Sequence, residues 1–473
     1  MRKSTQLAVI GGGPGGYTAA FSAADMGLDV TLIDKEDKPG GVCLFRGCMP
    51  SKALLHVAKV LTDARAARSW GVDFGEPTVD IERLRAWKDE VVGRLTGGLG
   101  QLTSQRDVSY LTGCAELIGS KAVRVTSGSG ETTELEFDHA ILATGSQPAW
   151  PSELVLDSDR VWDSTRALEV PVVPGSLLVV GGGYIGLELG SVYATLGSVV
   201  TVVEKTDGLL PGVDRDLTAV VARRLTEIFD DVFLETNATA LTEEGDGVRV
   251  TLEGPAVGQS DRCFDRVLVA VGRVPNSKIP GLNSTGVRLD ERGFVLVDGQ
   301  RRTHEPTIFA VGDVVGEPML AHKASHEART AVGVIAGQTR VFEPAAIPAV
   351  VFTDPEVAWC GMTEVQASAE GRSVRICRYP WAASGRAATL DRPLGLTKLI
   401  VDSTSEVVLG AGIAGAGAGE LIAEAVVVIE MGATVSDLRF CVHPHPTLSE
   451  TWMESADIFF GQSTHVYRPK RQR

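Results

Sequence analysis

Residues 7–16, Leu-Ala-Val-Ile-Gly-Gly-Gly-Pro-Gly-Gly, join a short apolar run to the glycine pattern Gly11-x-Gly13-x-x-Gly16. A helical pattern follows from Tyr17 to Met26, and a second apolar run, Val30 to Ile33, ends at Asp34. Strand, helix, strand and acid in this order are typical of a βαβ unit that binds a dinucleotide. The glycines let the backbone approach a pyrophosphate at the helix N-terminus, and the acid accepts from a ribose 2′-OH. The stretch therefore predicts a nucleotide-binding α/β domain rather than an ordinary glycine-rich turn.

The same pattern returns later in the chain. An apolar run leads into Gly181-x-Gly183-x-x-Gly186, and a helical stretch and a strand, Val199 to Val203, then end at Glu204. The spacing between the third glycine and the acid is the same in both copies. An internal repeat of this kind predicts two nucleotide-binding domains that hold two different dinucleotides.

Glu204 indicates which dinucleotide the second copy takes. An acid at this point accepts from the 2′-OH of NAD and repels the 2′-phosphate of NADP. Lys205 weakens this repulsion, but no arginine follows until Arg215. The second copy therefore favours NAD.

Three other strands end in small residues and are expected to return the chain to a ligand-binding edge. They end in Ala143-Thr144-Gly145, Ala270-Val271-Gly272 and Ala310-Val311-Gly312-Asp313. Asp313 fits a cofactor contact and a plain helix N-cap about equally well. From Ala346 onward the texture changes to alternating strands and two helices, which predicts a further compact α+β unit.

Composition and charge exclude several classes of partner. The chain has 473 residues, of which 45 are Lys or Arg and 60 are Asp or Glu, and its longest basic block is the tail at 468–473. We therefore expect neither a nucleic acid nor a membrane as a partner. Seven cysteines are few and odd in number, which argues against a secreted disulfide framework. The glycines at 11–16 would interrupt a signal peptide, so we expect a cytoplasmic protein.

Two cysteines lie five positions apart at Cys43 and Cys48, between glycines, and Pro50 leads from them into an amphipathic helical segment. The free N–H groups and positive dipole end of such a helix favour a reactive thiolate at Cys48. A redox pair, two buried thiols and half of a metal site all remain open on this spacing alone.

A second chemical cluster is His443-Pro444-His445-Pro446-Thr447-Leu448-Ser449-Glu450. His445 can sit on a loop with the Glu450 carboxylate behind it, which would fix its tautomer and raise its basicity. A surface loop with a helix-capping acid is the competing interpretation. His443 and Cys441 lack further ligands in suitable spacing, so we expect no metal site. Lys52 and Glu188 are charged residues in apolar surroundings, either solvated or paired near a cofactor.

Together these motifs resemble the flavin-dependent disulfide oxidoreductases, and within that family the chain is most similar to the dihydrolipoyl dehydrogenases. The similar segments run nearly end to end: Gly40-Gly-Val-Cys-Leu-Phe-Arg-Gly-Cys-Met-Pro-Ser-Lys52, Gly181-Gly-Gly-Tyr-Ile-Gly-Leu-Glu188, Val271-Gly-Arg-Val-Pro-Asn276, Ala321-His-Lys-Ala324, Phe352-Thr-Asp-Pro-Glu356, Pro380-Trp-Ala-Ala-Ser-Gly-Arg-Ala387 and His445-Pro-Thr-Leu448. The cysteine segment and the Pro-Trp-Ala-Ala-Ser-Gly-Arg run are the most specific.

The resemblance implies an α/β fold with two Rossmann-like dinucleotide-binding domains and a C-terminal α+β dimerisation domain. Its segments are 1–150 for the first part of the FAD domain with the redox disulfide, 151–275 for the NAD domain, 276–345 for the return to the FAD domain, and 346–473 for the dimerisation domain. The implied cofactors are FAD on the first fingerprint and NAD on the second. The cofactor-binding residues are then the six fingerprint glycines with Asp34, Lys52, Thr144, Gly145, Glu188, Glu204, Gly272, Arg273, Asp313, Leu320, Ala321 and His322.

By the same resemblance the protein is a homodimer in which His445 and Glu450 complete the active site of the other subunit. His445 takes a proton from dihydrolipoamide, the substrate thiolate attacks Cys43, the Cys48 thiolate reduces FAD, and reduced flavin gives hydride to NAD+. The implied partner is the lipoyl domain of a 2-oxoacid dehydrogenase or glycine cleavage complex.

Arg46, inside the disulfide loop, departs from the family pattern, as do Val42, Phe45, His326, Ala328 and Pro444. A guanidinium there is expected to stabilise a thiolate or to attract an acidic group of the substrate. In the first case Arg46→Val would lower the reduction potential of the disulfide. Other functions would leave different features in the sequence. A transhydrogenase or simple NADH oxidase would not need both Cys43 and Cys48. A glutathione reductase should carry arginines for NADP, and a mercuric reductase a further cysteine pair near its C-terminus. A flavin-binding subunit without activity would not need the intact catalytic set.

Overall fold

The computed structural model describes residues 2–467, so the basic tail at 468–473 lies outside the described part of the chain. The first part of the chain forms, in order, β1 (Arg2–Ile10), α1 (Pro14–Asp25), β2 (Val30–Asp34), α2 (Gly41–Arg46), α3 (Cys48–Ala66), α4 (Ile81–Gln105), β3 (Ser109–Thr112), β4 (Cys114–Leu117), β5 (Ala122–Thr126), β6 (Thr132–Leu142) and β7 (Ser146–Pro148).

The middle part begins at β8 and contains the second fingerprint. It forms β8 (Val161–Trp162), α5 (Ser164–Leu168), β9 (Ser176–Val180), α6 (Tyr184–Leu196), β10 (Val199–Val203), α7 (Arg215–Ile228), β11 (Asp231–Phe233), β12 (Asn237–Glu244), β13 (Gly247–Gly254), β14 (Gly258–Phe264), β15 (Arg266–Val269) and β16 (Arg273–Pro275).

The last part combines a short strand that returns to the first sheet with the C-terminal unit. It forms β17 (Ile308–Ala310), α8 (Ala321–Ile335), β18 (Ala349–Val351), β19 (Glu356–Gly361), α9 (Glu364–Ala369), β20 (Val374–Pro380), α10 (Gly385–Thr389), β21 (Leu396–Asp402), β22 (Val408–Gly415), α11 (Ala418–Glu430), α12 (Val435–Phe440) and α13 (Glu450–Phe460).

Two parallel sheets carry the two fingerprints. In the first, β3, β2, β1 and β6 lie side by side, β17 also pairs with β6, and β5 and β4 extend the sheet in antiparallel fashion. In the second, β11, β10, β9, β15 and β8 are all parallel. Each fingerprint glycine run follows a central strand, at the carboxyl end where parallel sheets bind ligands.

The C-terminal unit is an antiparallel sheet in the order β18, β19, β22, β21, β20, with α11 and α13 packed against it. Its core contains the buried rings of Trp381, Trp452 and Tyr379. The two parallel sheets and this α+β unit confirm the expected fold class. The pairing of β17 with β6 agrees with a return of the chain to the first domain, while the segment bounds 150, 275 and 345 stay a prediction.

A buried ion network ties the C-terminal unit to the second nucleotide-binding sheet. The ammonium of Lys398 on β21 is 1% exposed and lies 2.6 Å from Asp214, 2.7 Å from Asp216 and 2.9 Å from Glu364. Arg378 on β20 also donates to Asp216 and Glu364. The three carboxylates have metal-like spacing, but the ammonium already occupies the space between them. The network therefore joins α7 to three elements of the C-terminal unit.

Within residues 2–467, none of the helices combines the length and the apolar character that crossing a bilayer requires.

Candidate active site

Cys43 and Cys48 lie on two consecutive helices, Cys43 within α2 and Cys48 as the first residue of α3. Gly47 separates the helices, and a Cβ there would lie 3.0 Å from the carbonyl oxygen of Val42, a contact so tight that the turn would have to shift by a few tenths of an ångström. The helix α3 has neither a side-chain cap nor an acid in its first turn. Its free N–H groups therefore favour a negative charge on Cys48, as the sequence predicted.

The two sulfurs are in contact, and both cysteines are free thiols in this structure. Cys43 donates its S–H to the sulfur of Cys48. This hydrogen bond, assisted by the nearby Lys52 ammonium, lowers the pKa of Cys48 to about 7 against the opposing effect of burial. The same hydrogen bond, burial and the negative charge on Cys48 raise the pKa of Cys43 far above its usual range. Of the two sulfurs, Cys48 is therefore the one that ionises more readily.

Lys52 and Glu188 form an ion pair next to the cysteines. The Glu188 carboxylate is 3% exposed, and its Oε2 accepts from Lys52 Nζ at 2.8 Å and from Ser51 Oγ at 3.0 Å. Its Oε1 accepts from the backbone amide of Phe352 at 2.9 Å. The two residues that the sequence left as solvated or paired are thus paired, and Glu188 joins α3, α6 and the segment after β18.

A cavity of about 670 Å³ runs from the first fingerprint to the cysteines, within the size range of small-molecule sites. The predicted residues that line it are Gly11, Gly13, Asp34, Cys43, Cys48, Lys52, Thr144, Gly145, Glu188, Arg273, Asp313 and Ala321. The predicted residues outside its lining are Gly16, Gly181, Gly183, Gly186, Glu204, Gly272, Leu320, His322, His445 and Glu450.

The residues of this cavity fit a dinucleotide. The helix α1 begins at its wall without a side-chain cap and without an acid in its first turn, which leaves its amide hydrogens available to a phosphate. Gly11 has a φ of +108°, and a Cβ on it would lie 2.2 Å from the carbonyl oxygen of Ala143. Only glycine therefore allows the chain to turn into the helix at this distance from the neighbouring strand.

Asp34 and Glu204 occupy equivalent places in the two copies. Asp34 accepts from the amides of Gly12 and Glu36. Glu204 accepts from the amide of Gly182 at 2.7 Å and from both the amide and the hydroxyl of Thr206. A carboxylate has about four acceptor positions. Both acids can therefore still accept from a ribose hydroxyl while they hold their own glycine turns in place.

The second fingerprint has the same local geometry as the first. A Cβ added to Gly181 would lie 2.5 Å from the carbonyl oxygen of Ala270. The helix α6 begins after Gly183 without a side-chain cap or an acid in its first turn. The strand ending at Ala270 thus returns to the second fingerprint, whereas those ending at Ala143 and Val311 meet the first. The three returns that the sequence predicted serve two different sites.

Asp313 is fixed by residues that sequence reasoning did not identify. Ser146 donates its hydroxyl to Asp313 Oδ2 at 2.5 Å and accepts from Arg273 Nε at 2.7 Å. The adjacent amide of Gly312 donates at 2.7 Å to Glu327, a carboxylate with no exposed surface. A buried acid in a helix of small residues was the available signal for Glu327. Arg273 thus positions Ser146 as well as lining the cavity.

The stretch at 320–322 contributes less than expected. Ala321 lines the cavity, but Leu320 does not, and His322 Nε2 lies 2.7 Å from the carbonyl oxygen of Pro348. His322 therefore contacts the connection to the C-terminal unit rather than the cavity.

Thr144 and Asn276 are joined by two hydrogen bonds. The Thr144 hydroxyl donates to the carbonyl of Asn276, and the side-chain amide of Asn276 donates to the carbonyl of Thr144.

His445 and Glu450 form the predicted pair. His445 Nδ1 lies 2.9 Å from Glu450 Oε1, and the amide of Thr447 donates to the second carboxylate oxygen. Burial acts to raise the pKa of Glu450, but the Thr447 amide and His445 outweigh it and hold that pKa below its ordinary value. The imidazole is 78% exposed, and the pair lies apart from the cavity of its own chain, which residues 10–324 line. His443 is held instead by Glu424 and the Cys441 carbonyl.

Arg46 lines the cavity, but its side chain pairs with an acid rather than with the cysteine thiolate that the sequence suggested. Its guanidinium donates to the carboxylate of Glu36, two residues beyond Asp34. The cation that acts on the Cys43–Cys48 pair is Lys52. The expectation that Arg46 stabilises the thiolate is therefore not supported, because the ion pair turns it toward the first fingerprint.

Comparisons with known proteins agree with this arrangement. The model of the pyridine nucleotide-disulphide oxidoreductase family matches residues 5–328, and the dimerisation domain of the same family matches residues 347–456. The dihydrolipoyl dehydrogenase of Vibrio cholerae is 45% identical over 468 residues, covering 99% of this chain and 98% of the relative. That of Haloferax volcanii is 44% identical over 465 residues and covers 98% of each chain.

Solved structures give the same result. LpdA from Mycobacterium tuberculosis superposes with a TM-score of 0.89 at 28% identity, covering 96% of this chain and 99% of that one. The HOCl-induced flavoprotein disulfide reductase RclA from Escherichia coli reaches 0.84 at 29% identity, covering 94% and 98%.

These matches confirm the resemblance stated from the sequence. FAD and NAD are the cofactors of this fold family, and the dimerisation domain supports the expected homodimer. The chain belongs to the pyridine nucleotide-disulphide oxidoreductase family.

Proposed function

We propose that this protein is a dihydrolipoyl dehydrogenase, which oxidises dihydrolipoyl groups with NAD+ through Cys43, Cys48 and FAD. The observation that carries the proposal is the contact between the two sulfurs at the end of the dinucleotide-binding cavity. The relatives that match over nearly the full chain carry this activity in their names. Lipoyl domains of a 2-oxoacid dehydrogenase or glycine cleavage complex are the proposed macromolecular substrates.

The two cysteines have different roles in thiol–disulfide exchange. In the oxidised protein a substrate thiolate attacks Cys43. A bond forms between the substrate sulfur and the Cys43 sulfur, and the Cys43–Cys48 bond breaks. Cys48 leaves as the thiolate, and its lowered pKa makes it the better leaving group. The second substrate thiolate then closes the substrate disulfide and displaces the thiolate of Cys43. This order makes Cys43 the exchanging sulfur.

When bound, FAD supplies a two-electron acceptor between the dithiol and NAD+. The residues proposed to hold it are the glycines of the first fingerprint, with Asp34, Thr144, Gly145 and Asp313. Those proposed for NAD are the glycines of the second fingerprint, with Glu204 and Gly272, while Arg273 is proposed to position Ser146 and Asp313 beside the first site. Lys52 lies close enough to lower the pKa of Cys48, so it also stabilises the thiolate that must wait for reoxidation.

His445 is proposed as the base that takes the substrate protons. Glu450 accepts at Nδ1 and thereby leaves Nε2 as the proton acceptor. All the residues that line the cavity lie between positions 10 and 324, so His445 is not among them. The exposed imidazole is therefore proposed to serve the cavity of the second subunit in the homodimer. Each active site then contains residues from both subunits.

A steady-state substrate panel tests the proposal. Dihydrolipoamide, free dihydrolipoate and reduced glutathione are each assayed against NAD+ and NADP+, with dihydrolipoamide and NAD+ expected as the best pair. Glutathione turnover with NADP+ at a higher kcat/KM would favour the sister enzyme instead.

Cysteine variants test the site. Cys43→Ser and Cys48→Ser should abolish dihydrolipoamide turnover while NADH-to-dye activity remains. Cys263→Ser, on the remote strand β14, is the matched control and should keep both activities. Intact dihydrolipoamide turnover in either active-site variant would contradict the assignment.

A further inference from the structure

Phe352 contacts the Lys52–Glu188 pair through two different groups. The ring centroid lies 4.6 Å from Lys52 Nζ, and the backbone amide donates to Glu188 Oε1 at 2.9 Å. The face of an aromatic ring attracts a cation at this distance. One residue of the C-terminal unit therefore holds both members of an ion pair that belongs to the other two domains.

The rest of the structure restrains Lys52 weakly. Among the described residues, its ammonium has a single hydrogen-bond partner, Glu188 Oε2 at 2.8 Å, and its side chain is 33% exposed. Glu188, by contrast, is fixed by Ser51 and by the Phe352 amide. Without the ring, the ammonium keeps the Glu188 bond alone and gains room to shift toward solvent, while the carboxylate stays in place.

The ring itself is backed by the C-terminal unit. A Cβ on Gly419, at the start of α11, would lie 3.3 Å from Phe352 Cε1. Phe352 also follows directly after β18, which pairs with β19. The position of the ring is therefore set by the domain that the family comparison identifies as the dimerisation domain.

We propose that Phe352 is a positioning residue for Lys52: its ring keeps the ammonium beside the Cys43–Cys48 pair and so couples the dimerisation domain to the charge on the redox sulfur. This inference rests on the proposed function only in taking Cys48 as the thiolate that forms in the reduced protein.

The charges around Cys48 explain why the position of Lys52 matters. The groups that act on it are Cys43 from α2, Lys52 from α3, Glu188 and Tyr184 from α6, and Tyr17 from α1. Lys52 is the single cation among these, and Glu188 opposes it. Moving the ammonium away while the carboxylate stays should therefore disfavour the thiolate.

The test titrates Cys48 directly in the FAD-loaded protein. In a Cys43→Ser background, the long-wavelength absorbance from a Cys48 thiolate against flavin is followed as a function of pH. Phe352→Leu should raise the midpoint by about half a pH unit, from the strength of a partly exposed cation–π contact. Phe352→Met fills more of the volume of the lost ring than leucine does and should raise the midpoint by a similar amount. Phe352→Tyr keeps the ring and should leave the midpoint unchanged.

A double-mutant comparison separates positioning from a general loosening of the domain. In a Lys52→Met background, Phe352→Leu should cause no further shift, because the cation on which the ring acts is absent. An unchanged midpoint in both ringless variants, or the same shift without Lys52, would overturn the inference. Failure of the proposed function is distinguishable, since the absorbance band of the Cys43→Ser protein and the dihydrolipoamide turnover of the wild type would then both be missing with Phe352 intact.

Discussion

Replacing Lys398 by methionine should destabilise the protein strongly, and the structure sets the magnitude. The ammonium is 1% exposed and bonds three carboxylates, so methionine removes the central cation and leaves the acids together. Arg378 still compensates Asp216 and Glu364. Asp214 is 6% exposed and, among residues 2–467, its carboxylate keeps only the Glu364 amide, at 3.1 and 3.3 Å.

Breaking a buried ion pair by removing one partner costs about 3–5 kcal/mol, because the remaining charge stays buried without compensation. Since Arg378 remains, we expect the lower end, about 3 kcal/mol, for Lys398→Met at neutral pH. An exposed pair is worth under about 1 kcal/mol. Lys59→Met is the matched control, because Lys59 is 56% exposed and pairs with Asp63 on the surface.

The loss should also depend on pH. Burial acts to raise the pKa of Asp216, but Lys398 and Arg378 outweigh it and hold that pKa below its ordinary 3.8. A carboxyl with a depressed folded-state pKa adds stability that is present above its unfolded pKa and is lost as the pH falls through the folded one. The gap between wild type and Lys398→Met should therefore be full at pH 7 and narrow once the pH falls below about 4.

Urea denaturation at one fixed subunit concentration measures this, because the stability of a dimer depends on concentration. The midpoint of Lys398→Met should fall well below that of Lys59→Met. The reasoning requires that removing Lys398 leaves buried carboxylates without a compensating charge. Equal urea midpoints for Lys398→Met and Lys59→Met at pH 7 would refute it.

Three further changes test the site. Glu450→Gln should lower dihydrolipoamide turnover by about 10²-fold or more, because the base loses its orienting carboxylate, with NADH-to-dye activity unchanged; turnover within twofold of wild type would contradict this. Glu204→Ala should narrow the ratio of kcat/KM between NAD+ and NADP+, as the acid no longer repels the 2′-phosphate, and an unchanged ratio would argue against that role. Arg46→Val should leave the reduction potential of the cysteine pair unchanged because Glu36 holds the guanidinium; a lower potential would restore the hypothesis drawn from the sequence.

The parts that the sequence predicted are those coded by local patterns. Each fingerprint lies within one βαβ unit, so its glycines and acid are neighbours whatever surrounds them. Cys43 and Cys48 are five residues apart, as are His445 and Glu450, and both pairs are in contact. Separations this short leave the chain few ways to keep the side chains apart.

The parts that the sequence could not predict depend on contacts between distant segments. Glu188 meets the Phe352 amide across 164 residues, and Asp214 meets Lys398 across 184. Nothing in the local pattern around Phe352 or Lys398 distinguishes a contact between domains from an ordinary strand residue. Such pairs follow from how the two nucleotide-binding sheets and the C-terminal sheet pack, which no periodicity or motif spacing encodes.

Arg46 shows the opposite error, because closeness in sequence suggested a role at the cysteines for a side chain that pairs elsewhere. It lies three residues after Cys43 on the same short helix, yet its guanidinium donates to Glu36. Lys52, nine residues from Cys43, reaches the sulfurs because α3 begins at Cys48 and places Lys52 one turn along. The charge on Cys48 is thus set by the hydrogen bond from Cys43, a cation from its own helix and an acid from α6, and, through the proposed role of Phe352, by a ring from the dimerisation domain. A change in the packing of these domains therefore alters the reactivity of the thiolate even when both cysteines remain in place.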